Sequence, residues 1–265
     1  MNPLKASADW HFEFLGTGTS QGVPMIGCDC KVCQSDNPKD QRLRSSFLVE
    51  RMGTRILIDA GPDLRQQLLR SNTHDIDAVL ITHQHQDHTA GLDELRAINF
   101  IQGHSIPIYC TEAVEARLRE QYSYIFQNSK YPGIPQIDLI RIPEGPFQIG
   151  NIELEALELQ HANLPVLGFR FGKLVYLTDV NFIPESEWPK LKGLEVFILN
   201  ALRHEAHHSH FTLSEALEIA DRLEVPQFYA THISHQLGLH TEIESELKNG
   251  RNLAYDGLRF TLASS

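Results

Sequence analysis

Thr82-His83-Gln84-His85-Gln86-Asp87-His88 is the stretch that decides how this 265-residue chain is read. It follows directly on the apolar run Ala78–Ile81, which has the length and branching of a buried strand. In extended chain, residues two apart point the same way, so His83 and His85 aim at one place. Asp87 and His88 follow in the turn and face a second. Imidazole nitrogens and a carboxylate are ligands for zinc, manganese or iron. This cluster is expected to form one half of a two-metal site, with Gly91 opening a helix behind it.

Outward from the cluster, short apolar runs alternate with stretches of helical spacing. Strands are expected at Phe12–Leu15, Phe47–Glu50, Ile56–Ile58, Val79–Ile81, Ile106–Tyr109, Ile152–Leu159, Leu167–Phe171, Leu174–Leu177, Val196–Leu199, Phe228–Ala230 and Leu258–Leu262. Gly53-Thr54 has the look of a hairpin turn. Helices are expected at Asp63–Arg70, Leu92–Ile98, Glu112–Gln121, Leu213–Leu223 and Ile243–Leu247. Thr212 followed three residues on by Glu215 is a capping-box pattern. Tyr122–Pro135 is the least regular stretch and is expected to be a loop or lid. The interleaving runs from end to end without a linker-like change, so residues 1–265 are read as one α/β domain.

Composition narrows the partners. Twenty-three basic against 34 acidic residues leave a net charge of −11. Such a surface repels polyanions, so extended nucleic acid is disfavoured and a small substrate is expected. The start, Met1 to Trp10, has no apolar signal-like core, and no stretch reaches the roughly 20 apolar residues of a membrane span. The chain is expected to be cytoplasmic, with no membrane partner.

Three of the four cysteines fall in Gly27-Cys28-Asp29-Cys30-Lys31-Val32-Cys33. A disulfide between cysteines two apart is strained, and a reducing compartment keeps thiols reduced. Thiolates this close together usually hold zinc, and three sulfurs leave a tetrahedral ion one ligand short. His235, in Thr231-His232-Ile233-Ser234-His235, is the candidate fourth ligand, which would make 16–35 a zinc-binding loop. Cys110 stands alone at a strand end and is read as a core thiol. A third cluster, His204, His207, His208 and His210, precedes the capped helix at Thr212.

His-x-His-x-Asp-His after a strand resembles the signature of the metallo-β-lactamase superfamily. Later positions in this sequence match further motifs of that family: Asp59 in Leu57-Ile58-Asp59-Ala60-Gly61, His161, Asp179 in Leu177-Thr178-Asp179, and His232. The resemblance implies a four-layer αβ/βα sandwich carrying two catalytic divalent ions (manganese, zinc or iron). It implies His83, His85 and His161 on one ion and Asp87, His88 and His232 on the other. Asp179 would bridge them, and Asp59 would support the metal loop. Cys28-x-Cys30-x-x-Cys33, the Thr-His-Ile-Ser-His motif and Ala254-Tyr255-Asp256-Gly257 are similar to the PhnP-type cyclic phosphodiesterases, where the second metal is a structural zinc. By position relative to Thr212, His210 matches the histidine that contacts the scissile phosphate or leaving oxygen in related enzymes. His207 is the reserve choice.

The resemblance therefore implies a phosphodiesterase in which a metal-bridging hydroxide attacks a small substrate, a cyclic ribose phosphodiester being the specific expectation. Similar enzymes also imply a homodimer. A tRNA 3′-processing nuclease and a thiolester or lactone hydrolase of the same fold are the alternatives.

Overall fold

The computed structural model describes residues 8–127 and 133–264. In chain order it contains β1 (Trp10–Gly16), β2 (Ser46–Arg51), β3 (Thr54–Ile58), α1 (Leu64–Ser71), β4 (Ala78–Leu80) and α2 (Gln86–Thr89). These are followed by α3 (Leu95–Gln102), β5 (Ile106–Cys110), α4 (Glu112–Gln121), α5 (Ser123–Phe126), β6 (Ile137–Arg141), β7 (Pro146–Ile149) and β8 (Ile152–His161). The remainder is β9 (Leu164–Phe171), β10 (Leu174–Tyr176), β11 (Val196–Asn200), α6 (Leu213–Arg222), β12 (Gln227–Thr231), α7 (His240–Glu246), β13 (Arg251–Leu253) and β14 (Arg259–Leu262). No helix among the described residues is long and apolar enough to cross a membrane.

Two compact units share the chain. The first takes the residues up to Leu15, Ser46–Glu153 and those from Gly257 on; the second takes Gly16–Ser45 and Leu154–Asp256. The sheet of the first runs β14-β1-β2-β3-β4-β5-β6, with β2 and β3 antiparallel and β3 to β6 parallel. Strands β8 to β13 in the second are ordered β13-β12-β11-β10-β9-β8, again an antiparallel part that turns parallel at β10. Each unit has its own apolar core. Leu57, Val79, Ile81, Leu95 and Ile108 pack with Leu64 and Leu118 in the first, and Val175, Phe197, Leu199 and Phe228 pack with Ala216 and Ala220 in the second.

The hairpin between β2 and β3 turns on Met52 (φ 49°) and Gly53 (φ 78°), and Thr54 already pairs with Arg51. Two successive left-handed residues match the twist of a two-residue hairpin, so the turn lies one residue earlier than Gly53-Thr54. Helix α4 occupies Glu112–Gln121 as its spacing predicts, and α6 carries the full capping box of Thr212 and Glu215. Helix α2 was not expected, because four residues are too few for a periodic signal. The polar or mixed strands β6, β7 and β13 also escape pattern reading. Of the irregular stretch Tyr122–Pro135, Ser123–Phe126 is helical, and 128–132 fall outside the described residues.

Parallel strands leave a crevice at their carboxyl ends, and this is where ligands bind in open α/β sheets. Asp59 follows β3, His83 follows β4, Asp179 follows β10 and His232 follows β12. The motifs singled out in the sequence thus occupy equivalent ends of the two sheets.

Candidate metal centre

In the first unit Asp59 is the pivot. It sits one residue past β3 at φ 62°, a left-handed conformation that costs a non-glycine residue about 1 kcal/mol or more. It is fully buried, and its carboxylate accepts from the Thr82 backbone N–H (2.9 Å), the Thr82 hydroxyl (2.9 Å) and His88 Nδ1 (2.7 Å). Burial raises its pKa above the ordinary carboxylate range, opposed by His88 and Thr82. The Ala60 N–H donates to His88 O and the Gly91 N–H to Ala60 O, which seats α2 on the Asp59 turn. A Cβ at Gly91 would lie 1.9 Å from Gly61 O, so only glycine allows this approach.

These bonds set the histidine tautomers. Thr82 Oγ1 donates to Asp59 and so accepts from His83 Nδ1 (2.9 Å), which leaves the lone pair of the neutral ring on Nε2, 2.9 Å from His85 Nδ1. Two nitrogens each about 2.0–2.1 Å from one ion would have close to this separation. His88 gives its Nδ1 proton to Asp59, and its Nε2 lies 3.1 Å from an Asp87 carboxylate oxygen. In the neutral ring both facing atoms are acceptors, an arrangement that a cation between them relieves. His83 and His88 are buried, Asp87 is half-buried and His85 is exposed.

The second unit repeats the device. Asp179 (φ 57°) and His232 (φ 53°) are both left-handed. Ser45 Oγ donates to Gly18 O and lies 3.2 Å from His232 Nδ1, which also approaches Asp179 Oδ2 at 3.1 Å; the proton therefore sits on Nδ1 and the lone pair on Nε2. His161 Nδ1 donates to Ser209 O at 2.7 Å. Tying Nδ1 so that Nε2 faces the ion is the usual outer support of a metal-binding histidine. The fully buried Asn200 clamps the residue after Asp179, accepting from Val180 N (2.7 Å) and donating to Val180 O (3.0 Å). Ligand atoms of His161, Asp179 and His210 lie within 4.8 Å of one another.

His210 Nδ1 is 3.9 Å from Asp179 Oδ1, and burial, followed by the adjacent His232, pushes its pKa down to about 2. Of the third cluster, His210 is the member brought to Asp179. The His207 ring lies against it, tilted by 32° with centroids 5.2 Å apart, and is also pushed down, mainly by burial. His204 and His208 are exposed.

Cys28, Cys30, Cys33 and His235 also converge, all four ligand atoms lying within 4.8 Å of one another. Cys28 Sγ and Cys30 Sγ are 3.4 and 3.3 Å from His235 Nδ1. Thiolate sulfurs about 2.3 Å from a tetrahedral zinc sit roughly 3.8 Å from each other, and three sulfurs with one nitrogen complete the set. His235 pulls Cys30 down to about 6, while burial drives Cys33 up to about 11, so Cys33 needs a cation beside it to ionise at neutral pH. The glycine-rich turn links this loop to the other ligands: Thr19 N donates to Ile233 O and Ile233 N to Thr17 O, next to His232. Cys110 is buried, as a core thiol should be.

Sequence reading missed the supports Thr82, Ser45, Ser209 and Asn200, and the network behind the closing Ala-Tyr-Asp-Gly motif. Asp256 accepts from Thr17 N (2.9 Å), Thr17 Oγ1 (2.7 Å) and Leu43 N (2.8 Å). Buried Arg42 donates to Thr17 Oγ1 and Ala254 O and contacts His240 Nδ1 at 3.1 Å. His240 is held at about 4, by burial first and then by Arg42 and Lys39. With the folded pKa below the ordinary 6.5, the unfolded chain takes up the proton first as pH falls. Stability from this ring is therefore full above about 6.5 and is lost progressively toward pH 4, by up to about 3 kcal/mol. Thermal melts from pH 7 to 4 should show the difference between wild type and His240→Gln narrowing in that window; a pH-independent difference would contradict this.

A cleft of about 550 Å³ in the first unit is lined by His11, Glu13, Arg55 and Arg259 among others and by none of the candidate metal ligands described above. Its guanidinium groups are paired, Arg55 with Glu50 and Arg259 with Glu13, so it offers no uncompensated charge.

The chain is similar to known proteins over most of its length. The Beta-lactamase superfamily domain matches residues 54–233. A crystal structure of a diphosphatase from the PhnP family is 38% identical and superposes with a TM-score of 0.90, over 96% of this chain and 97% of that one. The octanoyltransferase of Porphyromonas gingivalis is 38% identical over 247 residues, 92% of this chain; the chain spans 50% of that protein's length. Ribonuclease Z of Pyrobaculum neutrophilum is 27% identical over 89% of this chain and 91% of its own. The chain belongs to the metallo-β-lactamase superfamily and to its PhnP family.

Proposed function

We propose that the chain is a two-metal hydrolase of small phosphodiester-like substrates, built as one catalytic domain. The observation that carries this reading is the common tautomer of His83, His88, His161 and His232: each has Nδ1 tied to the protein and Nε2 left as a donor of electrons. His83, His85 and His161 would hold one ion, Asp87, His88 and His232 the other, and Asp179 would lie between them. When bound, two such ions supply a water-derived nucleophile at neutral pH and neutralise charge in an in-line displacement. Asp59 acts behind them by fixing His88 and Thr82. His210, neutral when no anion is bound, serves as a hydrogen-bonding clamp on a phosphate oxygen or the leaving oxygen. Cys28, Cys30, Cys33 and His235 would take a structural zinc. Four free thiols suit a reducing compartment such as the cytoplasm.

The scissile phosphorus of a cyclic ribose phosphodiester and that of a disubstituted diphosphate both carry two bridging and two non-bridging oxygens. One site therefore recognises both, and the PhnP-family relative is a diphosphatase. The net charge of −11 disfavours a long polyanion. The test is a turnover panel on metal-loaded protein: ribose 1,2-cyclic phosphate, a disubstituted diphosphate, bis(p-nitrophenyl) phosphate, an octanoyl thiolester and a tRNA precursor. The small phosphorus substrates should lead in kcat/KM by about 100-fold or more. A lead by the thiolester or the tRNA would overturn the proposal.

A further inference from the structure

One residue, Ser209, sets two histidines in opposite senses. The Ser209 carbonyl accepts from His161 Nδ1 at 2.7 Å, so the lone pair of that neutral ring is on Nε2. The Ser209 N–H donates to His207 Nδ1 at 3.4 Å, and the Ser209 hydroxyl lies 3.2 Å from the same nitrogen. His207 therefore accepts at Nδ1 and carries its proton on Nε2. The first tautomer suits a cation and the second an anion.

The segment that presents them is fixed at both ends. Arg203 binds Glu205 O, Ala206 O and Gln236 Oε1, and Asn181 Nδ2 donates to His208 O at 3.0 Å. His210 Nδ1 is 3.9 Å from the Asp179 carboxylate, and the half-buried His207 ring lies against His210, tilted by 32° with centroids 5.2 Å apart. Asp221, Glu218 and Glu215 belong to the following helix, and Glu205, the acid nearest in sequence to His207, is exposed.

We infer that His207 is a specificity-determining residue whose Nε2–H binds the second, non-scissile phosphate of a disubstituted diphosphate. This rests on the proposed phosphorus–oxygen hydrolysis and adds the substrate class. A hydrogen bond to a charged oxygen is about twice as strong as a neutral one, which is why a phosphate rather than a sugar hydroxyl is the partner.

The test compares diadenosine diphosphate with bis(p-nitrophenyl) phosphate, which has a single phosphorus, in wild type, His207→Phe and His207→Gln, all metal-loaded with metal content measured. In His207→Phe the kcat/KM ratio of the first substrate to the second should fall about 10- to 100-fold, through KM. Glutamine, which can place an N–H where Nε2–H was, should restore most of it. Nitrogen-15 spectra of the substrate-free protein should show His207 as the Nε2–H tautomer. An unchanged ratio, or the Nδ1–H tautomer, overturns the inference. A wild type that hydrolyses the monophosphorus diester but not the diphosphate also overturns it and leaves the proposed function standing; failure on both substrates overturns both.

Discussion

Replacing His85 with alanine is expected to lower kcat/KM on the order of a thousandfold or more and to reduce bound catalytic metal, while the thermal midpoint hardly moves. The asymmetry follows from where the ring lies. His83 and His88 are fully buried in the polar core around Asp59, so truncating either strands hydrogen-bonding groups as well as removing a ligand. His85 is exposed, and its Nδ1 lies 2.9 Å from the Nε2 of His83. Its loss costs the fold little, within about 1 kcal/mol, as for other exposed positions. It does remove one of the two nitrogens that the first unit offers to a single ion. Metal analysis and melting curves run on the same preparation separate the two effects. A His85→Ala protein with full activity would mean that the cluster is not the catalytic centre.

Cys30→Ser should behave in the opposite way, losing stability ahead of chemistry. Zinc content should fall by about one per chain, and the melting temperature by roughly 6–12 °C if the site contributes about 3 kcal/mol. Cys30 touches His235 at 3.3 Å and receives the Cys33 N–H at 3.5 Å, so its sulfur organises the other donors. A serine keeps the size but not the soft thiolate. Activity should follow only as the loop loosens, because Thr17 and Thr19 hydrogen-bond the peptide of Ile233, adjacent to His232. Unchanged zinc stoichiometry and an unchanged melting temperature would remove the structural role.

Much of this was legible in the sequence for a local reason. Residues of metal-ligating type bunched on a strand end, as in His83–His88, or within six positions, as in Cys28–Cys33, need no tertiary information to be noticed. The α/β class was equally legible, since the buried strands are β-branched and the helix at Leu213 opens with Thr212 and Glu215 in their capping positions. The supports were not. Thr82, Ser45 and Ser209 are ordinary residue types in turns, and only folding brings them to Nδ1 of His83, His232 and His161. Nor does sequence reveal that Asp59, Asp179 and His232 adopt left-handed backbone, a strain that the surrounding hydrogen bonds hold in place. Asp256 was read as part of a closing motif. Its role as acceptor for Thr17 and Leu43 required contacts across more than 200 residues of chain.

The two-metal centre is the core of the account, and metal reconstitution tests it most directly. Protein stripped of its catalytic ions under conditions that keep the structural zinc should be titrated with manganese or zinc while hydrolysis of bis(p-nitrophenyl) phosphate is followed. Activity should rise until about two equivalents per chain are bound and then level off. Saturation at one equivalent, or activity independent of added metal, would contradict it.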